Sequence, residues 1–347
     1  MPGSSNGVKR ARINESGISQ KGNNGSTSQP SKKSKIVSET SKLSDTDAKI
    51  LTELEEKFLC KHPQEILDFF NWAKELNPKE PTKAFYEVNK LELVGVFDYL
   101  AGKFENMQIS EKQLLTHYRF LTDLPEFQTL IVYDGGRFGY WRDFPEEAEP
   151  LLVHIPHKDE HFPKLEIAGT SNLLCAIYFL LKDQAHLEKY AKFFPETADL
   201  NGFENLISDA QKARKKKAVG KAMHGVGIWV PVKNDVGYRP VTDSIASFKK
   251  DLITMGTTKD DAVKEKMRKK IMETFAYIQM GNDELDYGMG LEFGHDLFIS
   301  GYECFDKMAK NVLATAYRLL KRENFGKILE AQMEIGRRRE NVSVIES

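Results

Sequence analysis

"FQTLIVYDGGRFGYWRD", residues 127–143, holds two runs rich in β-branched and aromatic residues, joined by Asp134-Gly135-Gly136-Arg137. Residues of this kind favour a pleated, half-buried surface, and an Asp-Gly pair between two such runs is a hairpin signal. Three further short runs, "LELVGVF" (91–97), "LLVHI" (151–155) and "KLEIAG" (164–169), read as strands of the same antiparallel sheet. Helices are expected around them. "TDAKILTELEEKFL" (46–59) places Ile50, Leu51, Leu54 and Phe58 at helical spacing. "PQEILDFFNWAKEL" (63–76) begins with proline, which suits a first helical position. "SNLLCAIYFLLKDQAHLEKYAKFF" (171–194) reads as one long helix with Ser171 as its N-cap. Residues 46–195 are therefore expected to form an α+β domain with an antiparallel sheet.

Residues 196–347 read as a mainly helical domain. Helices are expected over 205–219, 257–280 and 291–325, with a short strand at 227–232, "GIWVPV". Val263, Met267, Ile271, Phe275 and Ile278 share one face of the second helix, whose start Thr258 and Asp261 would cap as a pair. Phe298, Tyr302, Phe305, Ala309, Val312, Ala316 and Leu319 share one face of the third, so both read as amphipathic. The fold class is α+β: an N-terminal sheet domain, then a mostly helical domain with a short β element.

Residues 1–45 contain eleven serines and no aromatic residue, too little apolar surface to offset chain entropy, and are expected to be disordered. They carry "KRAR" (9–12) and "KKSK" (32–35), which suit a nuclear-import signal, a weak nucleic-acid contact, or simply a solvated tail. The formal net charge of −1 argues against nucleic-acid binding driven by a global field. Cys60, Cys175 and Cys304 are widely spaced and odd in number, which points to a reducing compartment and against a thiolate metal site. The longest apolar run, "LLCAIYFLL" (173–181), is too short to cross a bilayer, so a soluble intracellular protein without a membrane partner is expected.

Between the two expected C-terminal helices lies "GNDELDYGMGLEFGHD" (281–296), with Asp283, Glu284, Asp286 and Glu292 close together and Gly288 and Gly290 before the last. Composition alone suits a solvated, capped helix–helix turn. It also allows a positioned general base or a cation site; crowding and partial burial push carboxylates toward neutral pKa values, which suits proton abstraction. The spacing is not that of a twelve-residue calcium loop, and "GMG" lacks a dinucleotide fingerprint.

Four other features carry candidate chemistry. "KNDVGYRP" (233–240) reads as a turn bearing Tyr238 and Arg239, either an interface anchor or a packed Tyr beside an exposed Arg. His154, His157 and His161 lie close in sequence, but Pro156 and polar neighbours suggest a loop without fixed geometry, and no metal is expected. "KARKKK" (212–217) suits a solvated helix face, or a contact to phosphate or an acidic tail. His224 reads as an ordinary hydrogen-bonded histidine.

"NDELDYGMGLE" (282–292), "HGVGIWVPVKNDVGYR" (224–239) and "PEFQTLIV" (125–132) resemble the histone PARylation factor family, as does the order of basic tail, α+β part and helical part over about 46–340. The resemblance implies a chain that docks on the catalytic domain of DNA-damage-activated poly(ADP-ribose) polymerases and directs ADP-ribose from NAD⁺ onto serine, notably on histones. It implies nuclear chromatin at sites of DNA damage as the location. NAD would be bound by the polymerase, and no cofactor by this chain. Glu284 matches the catalytic glutamate. Asp283 and Arg239, with Tyr238 beside them, match the docking surface. Asp286, Gly288 and Gly290 would shape the loop. Some members carry a small N-terminal zinc finger; residues 1–59 here contain neither Cys nor His, so that finger is not expected. The chain is then not an enzyme by itself. The competing readings are a non-catalytic chromatin adaptor and a stand-alone hydrolase using two carboxylates.

Overall fold

The computed structural model describes residues 44–157, 161–181, 200–337 and 342–345, all within one compact unit spanning Ser41–Ser347. The tail expected to be disordered, with both basic clusters, lies outside these residues except for Ser44 and Asp45. So does most of the expected domain boundary region near residue 195.

The elements follow in chain order: α1 (Asp45–Phe58), α2 (Glu65–Leu76), β1 (Glu92–Leu93), α3 (Val96–Leu100), α4 (Glu111–Thr116), β2 (Phe127–Tyr133), β3 (Gly136–Trp141), β4 (Leu151–Pro156), β5 (Glu166–Gly169) and α5 (Leu174–Leu180). Next come α6 (Leu200–Lys217), α7 (Ile245–Thr257), α8 (Asp261–Asp283), α9 (Tyr287–Ile299), α10 (Asp306–Leu319) and α11 (Glu323–Ile335). The fold is α+β, as expected: an antiparallel sheet in the N-terminal half and helix mostly in the C-terminal half.

The sheet is a simple meander, β1-β2-β3-β4-β5, every pair antiparallel. The 127–143 stretch pairs as expected, from Phe127 opposite Trp141 to Tyr133 opposite Gly136, so the turn is Asp134-Gly135. Both faces of the sheet are covered. Phe127, Trp141, Val153 and Ile155 point into one apolar core, shared with α9, α10 and α11. Leu130, Phe138, Tyr140 and Leu152 point into another, shared with α1, α2 and α5. Alternation along a strand sends neighbours to opposite faces, which is why these strands carry apolar residues on both.

Several expectations are corrected. The run 91–97 is a strand only at Glu92–Leu93. Gly95, at φ +67°, breaks it, and the Asp98 carboxylate accepts the Gly95 N–H at 2.8 Å, starting α3. Pro63 precedes α2 instead of opening it. Ser171 does not cap α5: its hydroxyl donates to Glu65, and Asn172 Oδ1 accepts the Leu174 N–H at 3.0 Å. The continuation of that helix toward 194 lies outside the described residues. Residues 227–232 form no strand; a single bridge joins Gly220 to Ile228. Gly227 stands at φ +75°, and helix side chains take the carbonyls a ladder would use: Arg214 those of Val226 and Gly227, Arg322 that of Trp229.

Asp260, not the Thr258–Asp261 pair, caps α8, accepting the Ala262 N–H at 2.8 Å and the Val263 N–H at 3.1 Å. The single helix expected over 291–325 is three. Gly301, at φ +67°, ends the first after Ser300, and Lys321, at φ +57°, separates α10 from α11. Nor is α9 amphipathic: every residue from Gly288 to Ile299 is buried. A helix buried on every side belongs inside a core, and the glycines let neighbours close on it. A Cβ at Gly294 would stand 2.5 Å from Leu313 of α10.

Candidate functional site

The acidic segment, expected as a turn, is mostly helical: α8 runs on to Asp283 and α9 starts at Tyr287, so only Glu284, Leu285 and Asp286 make the corner, and its shape comes from main-chain hydrogen bonds. The Asp286 N–H returns to the Gly281 carbonyl at 2.8 Å and the Leu285 N–H to that of Asn282 at 3.1 Å. This pair of bonds closes a helix C-terminus around a left-handed residue, a place glycine usually takes. Here Leu285 takes it, at φ +69°, with its side chain 55 % exposed. A branched residue held there costs on the order of 1 kcal/mol, so the surroundings hold the corner closed.

What holds it is the turn at 233–239. Gly237, at φ +131°, is strapped to the start of α9 on both sides. Its N–H donates to Asp286 Oδ1 at 2.7 Å, and its carbonyl accepts the Gly288 N–H at 2.9 Å. Gly288 has no room for a side chain: a Cβ would meet Tyr238 and Val230 at 2.9 Å. At Gly290 the nearest atom would be 3.6 Å away, an ordinary contact. The Tyr238 hydroxyl reaches inward and donates to Glu292 Oε2 at 2.7 Å. Arg239, next along, lies over the Tyr277 ring, places Nε 2.5 Å from Asp286 Oδ2, and closes an ion pair with Glu284.

The residues singled out in the sequence thus meet at one place, 45 residues apart along the chain at the Arg239–Glu284 pair. They divide by exposure. Asp286 is 4 % exposed and structural in its contacts. Glu284 has a side chain 58 % exposed, and Asp283 at the end of α8 is exposed with no ion pair among the described residues. Around them stand exposed apolar side chains: Tyr277, Met280, Leu285, Val232 and Val236. A cavity of about 600 Å³ opens beside the corner, lined by Val236, Leu285, Tyr287 and Leu320. No sequence pattern marks these residues as surface, because an apolar residue in a turn is usually expected to pack inward.

Behind the corner runs a buried polar chain that composition did not reveal. His295 Nε2 lies 2.9 Å from Glu126 Oε1, and the Tyr317 hydroxyl donates to Glu126 Oε2 at 2.8 Å. Burial opposes charge on Glu126, but His295 and Tyr317 outweigh it and hold the carboxyl below its ordinary range. Burial pushes Glu292 and Asp296 up, Asp296 strongly. Asp296 accepts the Met223 N–H at 2.7 Å. His224, buried and beside His295, is held well below its usual range, first by burial and then by the neighbouring histidine. The one signal in the sequence was Glu292, His295 and Asp296 inside an otherwise apolar run.

The other stretches do not join the corner. His154 contacts Tyr133 and Glu166, whereas His161 bonds the Ser300 carbonyl. Among the described residues no group of three or more His, Cys, Asp or Glu could hold a metal ion, and no helix is long and apolar enough to cross a membrane. In the basic run, Arg214 is buried on both oxygens of Asp143, and Lys217 bridges Asp143 and Glu147. Only Lys212, Lys215 and Lys216 form a solvated face.

An exposed carboxylate thus stands on a corner closed by main-chain bonds, with exposed apolar side chains around it. The family model for Histone PARylation factor 1 matches residues 48–336, and the chain belongs to that family. It is 34 % identical over 296 residues to Histone PARylation factor 1 of Danio rerio, covering 81 % of this chain and 84 % of that protein. It is 33 % identical over 318 residues to Histone PARylation factor 1 of Mus musculus, covering 86 % and 90 %. The Bos taurus protein of that name is also 33 % identical, over 305 residues.

Proposed function

We propose that this chain is an accessory factor that docks on the catalytic domain of a poly(ADP-ribose) polymerase and lends it Glu284 as a general base for modifying serine on histones. What supports this reading is one observation: an exposed carboxylate on a corner whose shape is fixed by Asp286, Gly237 and Gly288 rather than by Glu284 itself. A serine hydroxyl is a poor nucleophile until its proton is accepted as it attacks. In the proposed step the serine oxygen bonds to the anomeric carbon of the ADP-ribose unit of NAD⁺, the bond to nicotinamide breaks, and Glu284 takes the hydroxyl proton. The polymerase supplies the NAD⁺ site; this chain binds no cofactor of its own and turns nothing over alone.

Tyr238, Arg239 and Asp283 form the docking surface in this reading, with the exposed apolar side chains around them. Arg239 closes on Glu284 in the free chain, so docking through Arg239 also frees the base. A partner acting on histones places the work on chromatin in the nucleus.

Glu284→Gln tests the role, because it keeps size and hydrogen-bonding shape but not the proton affinity. Serine labelling by saturating polymerase should fall by about 10²–10⁴-fold while a pull-down retains the complex. Labelling at the normal rate removes Glu284 as the base. Lost labelling together with lost binding makes it a docking residue, the outcome a chromatin adaptor predicts.

A further inference from the structure

A second concave surface lies away from the acidic corner and shares none of its residues. It is a groove of about 820 Å³ where α1 faces α3, the loop after α3, and the start of α4. Its floor is apolar. Phe104 and Leu114 are buried, and Met107 and Ile109 are half-buried. Its rim is acidic: Glu53 and Glu56 on α1, Glu105 and Glu111 opposite, all exposed, with Lys57 as the one cation lining it. The rim therefore carries about three net negative charges, in a chain whose total is −1. No ion pair closes on any of these four carboxylates among the described residues. Elsewhere on the same face such charges are matched: Lys103 pairs with Asp98 at 2.7 Å, and Lys112 with Glu334. Tyr99 donates its hydroxyl to Glu53, which keeps that carboxylate an acceptor turned to the groove.

We propose that this groove binds a lysine- and arginine-bearing segment of the histone substrate, holding it while the acidic corner acts on a serine elsewhere in it. The identity of the partner rests on the function proposed above; the groove's chemistry does not. Lys and Arg side chains lay an apolar stem along an apolar surface and keep the charged head in water. A floor of Phe104, Met107 and Ile109 beneath a ring of carboxylates that close no ion pair among the described residues matches both halves of such a side chain. Duplex DNA and anionic membranes are repelled by the same ring.

Binding is read on the chain alone, without polymerase or NAD⁺, so failure of the serine transfer leaves this test untouched. The probes are a fluorescein-labelled peptide of lysine, alanine and serine in alternation, and purified core histones, followed by fluorescence anisotropy. The peptide should bind with an affinity that falls as salt rises, and Glu56→Lys/Glu105→Lys should weaken it roughly tenfold or more. The paired neutral variant, Glu56→Gln/Glu105→Gln, should show an intermediate loss and carries the test if charge reversal disturbs the melting temperature. Unchanged affinity in the neutral variant overturns the proposal. So does displacement of the peptide by spermine at equal concentration of positive charge, which would leave only diffuse attraction.

Discussion

Removing the Asp286 carboxylate takes away both the acceptor for the Gly237 N–H and the partner of Arg239 Nε. A buried donor left without a partner costs about 1–3 kcal/mol, so Asp286→Ala should lower the melting temperature and loosen the 233–239 turn. Its effect on polymerase binding should then exceed that of a substitution at exposed Asp283, measured by calorimetry. The two glycines of "YGMG" separate in the same way. Gly288→Ala forces a methyl against Tyr238, Val230 and the Gly237 carbonyl, and should destabilise by about 1–3 kcal/mol. Gly290→Ala meets nothing closer than 3.6 Å and gains helix propensity, so it should be neutral or stabilising by up to about 1 kcal/mol. Chemical denaturation of the two variants side by side reads the difference. Equal losses would mean that Gly290 also shapes the corner.

At the scale of elements, Arg214 on α6 does the work that a strand partner would do for residues 226–228. Arg214→Ala strands the buried Asp143 carboxylate and two carbonyls, although Lys217 keeps one contact to Asp143. A loss of about 3–5 kcal/mol is expected from breaking a buried pair on one side. Hydrogen exchange should show early opening over 218–230. This is also where the sequence was least legible. "KARKKK" reads as a solvated run because residue type says nothing about which of its five cations faces inward. "GIWVPV" reads as a strand because it is a short run of β-branched and aromatic residues, while the partner groups that decide otherwise come from Arg214 on α6 and from Arg322 just before α11. The 127–143 hairpin was legible because its pairing is local and its turn lies within the quoted residues. The division of 291–325 into three helices was not, because one Gly and one left-handed Lys outweigh an unbroken apolar periodicity. At the site, the residues of both quoted motifs were legible. Their strapping through Gly237 was not, since a main-chain contact leaves no trace in composition.

Over the whole molecule, the buried histidines tie stability to acid. Burial first, then Arg142, lowers His62 to about 3, and burial with His295 holds His224 well below its usual range. Both are neutral in the folded chain and become protonated in the unfolded chain below about pH 6.5. The unfolded state then binds more protons, so stability should fall as pH drops through this window, by up to about 1.4 kcal/mol per pH unit for each. For His62 the slope continues down to about 3. Melting temperatures between pH 7.5 and 4.5 should show the decline, and His62→Gln should flatten part of it. A flat profile would mean that the histidines are charged in the folded chain.

The corner between α8 and α9 is closed by main-chain bonds and by side chains other than the one it presents. Position 284 is therefore a socket rather than a strut. Its occupant can be exchanged without redesigning the support, and the chemistry presented at the corner becomes a choice separable from the fold. Glu284→His would stand at the same spot with a proton affinity near neutrality, and Glu284→Cys would stand there as a thiol. The same scaffold could thus be made to carry a reporter, a crosslinking group or a different base to the same address.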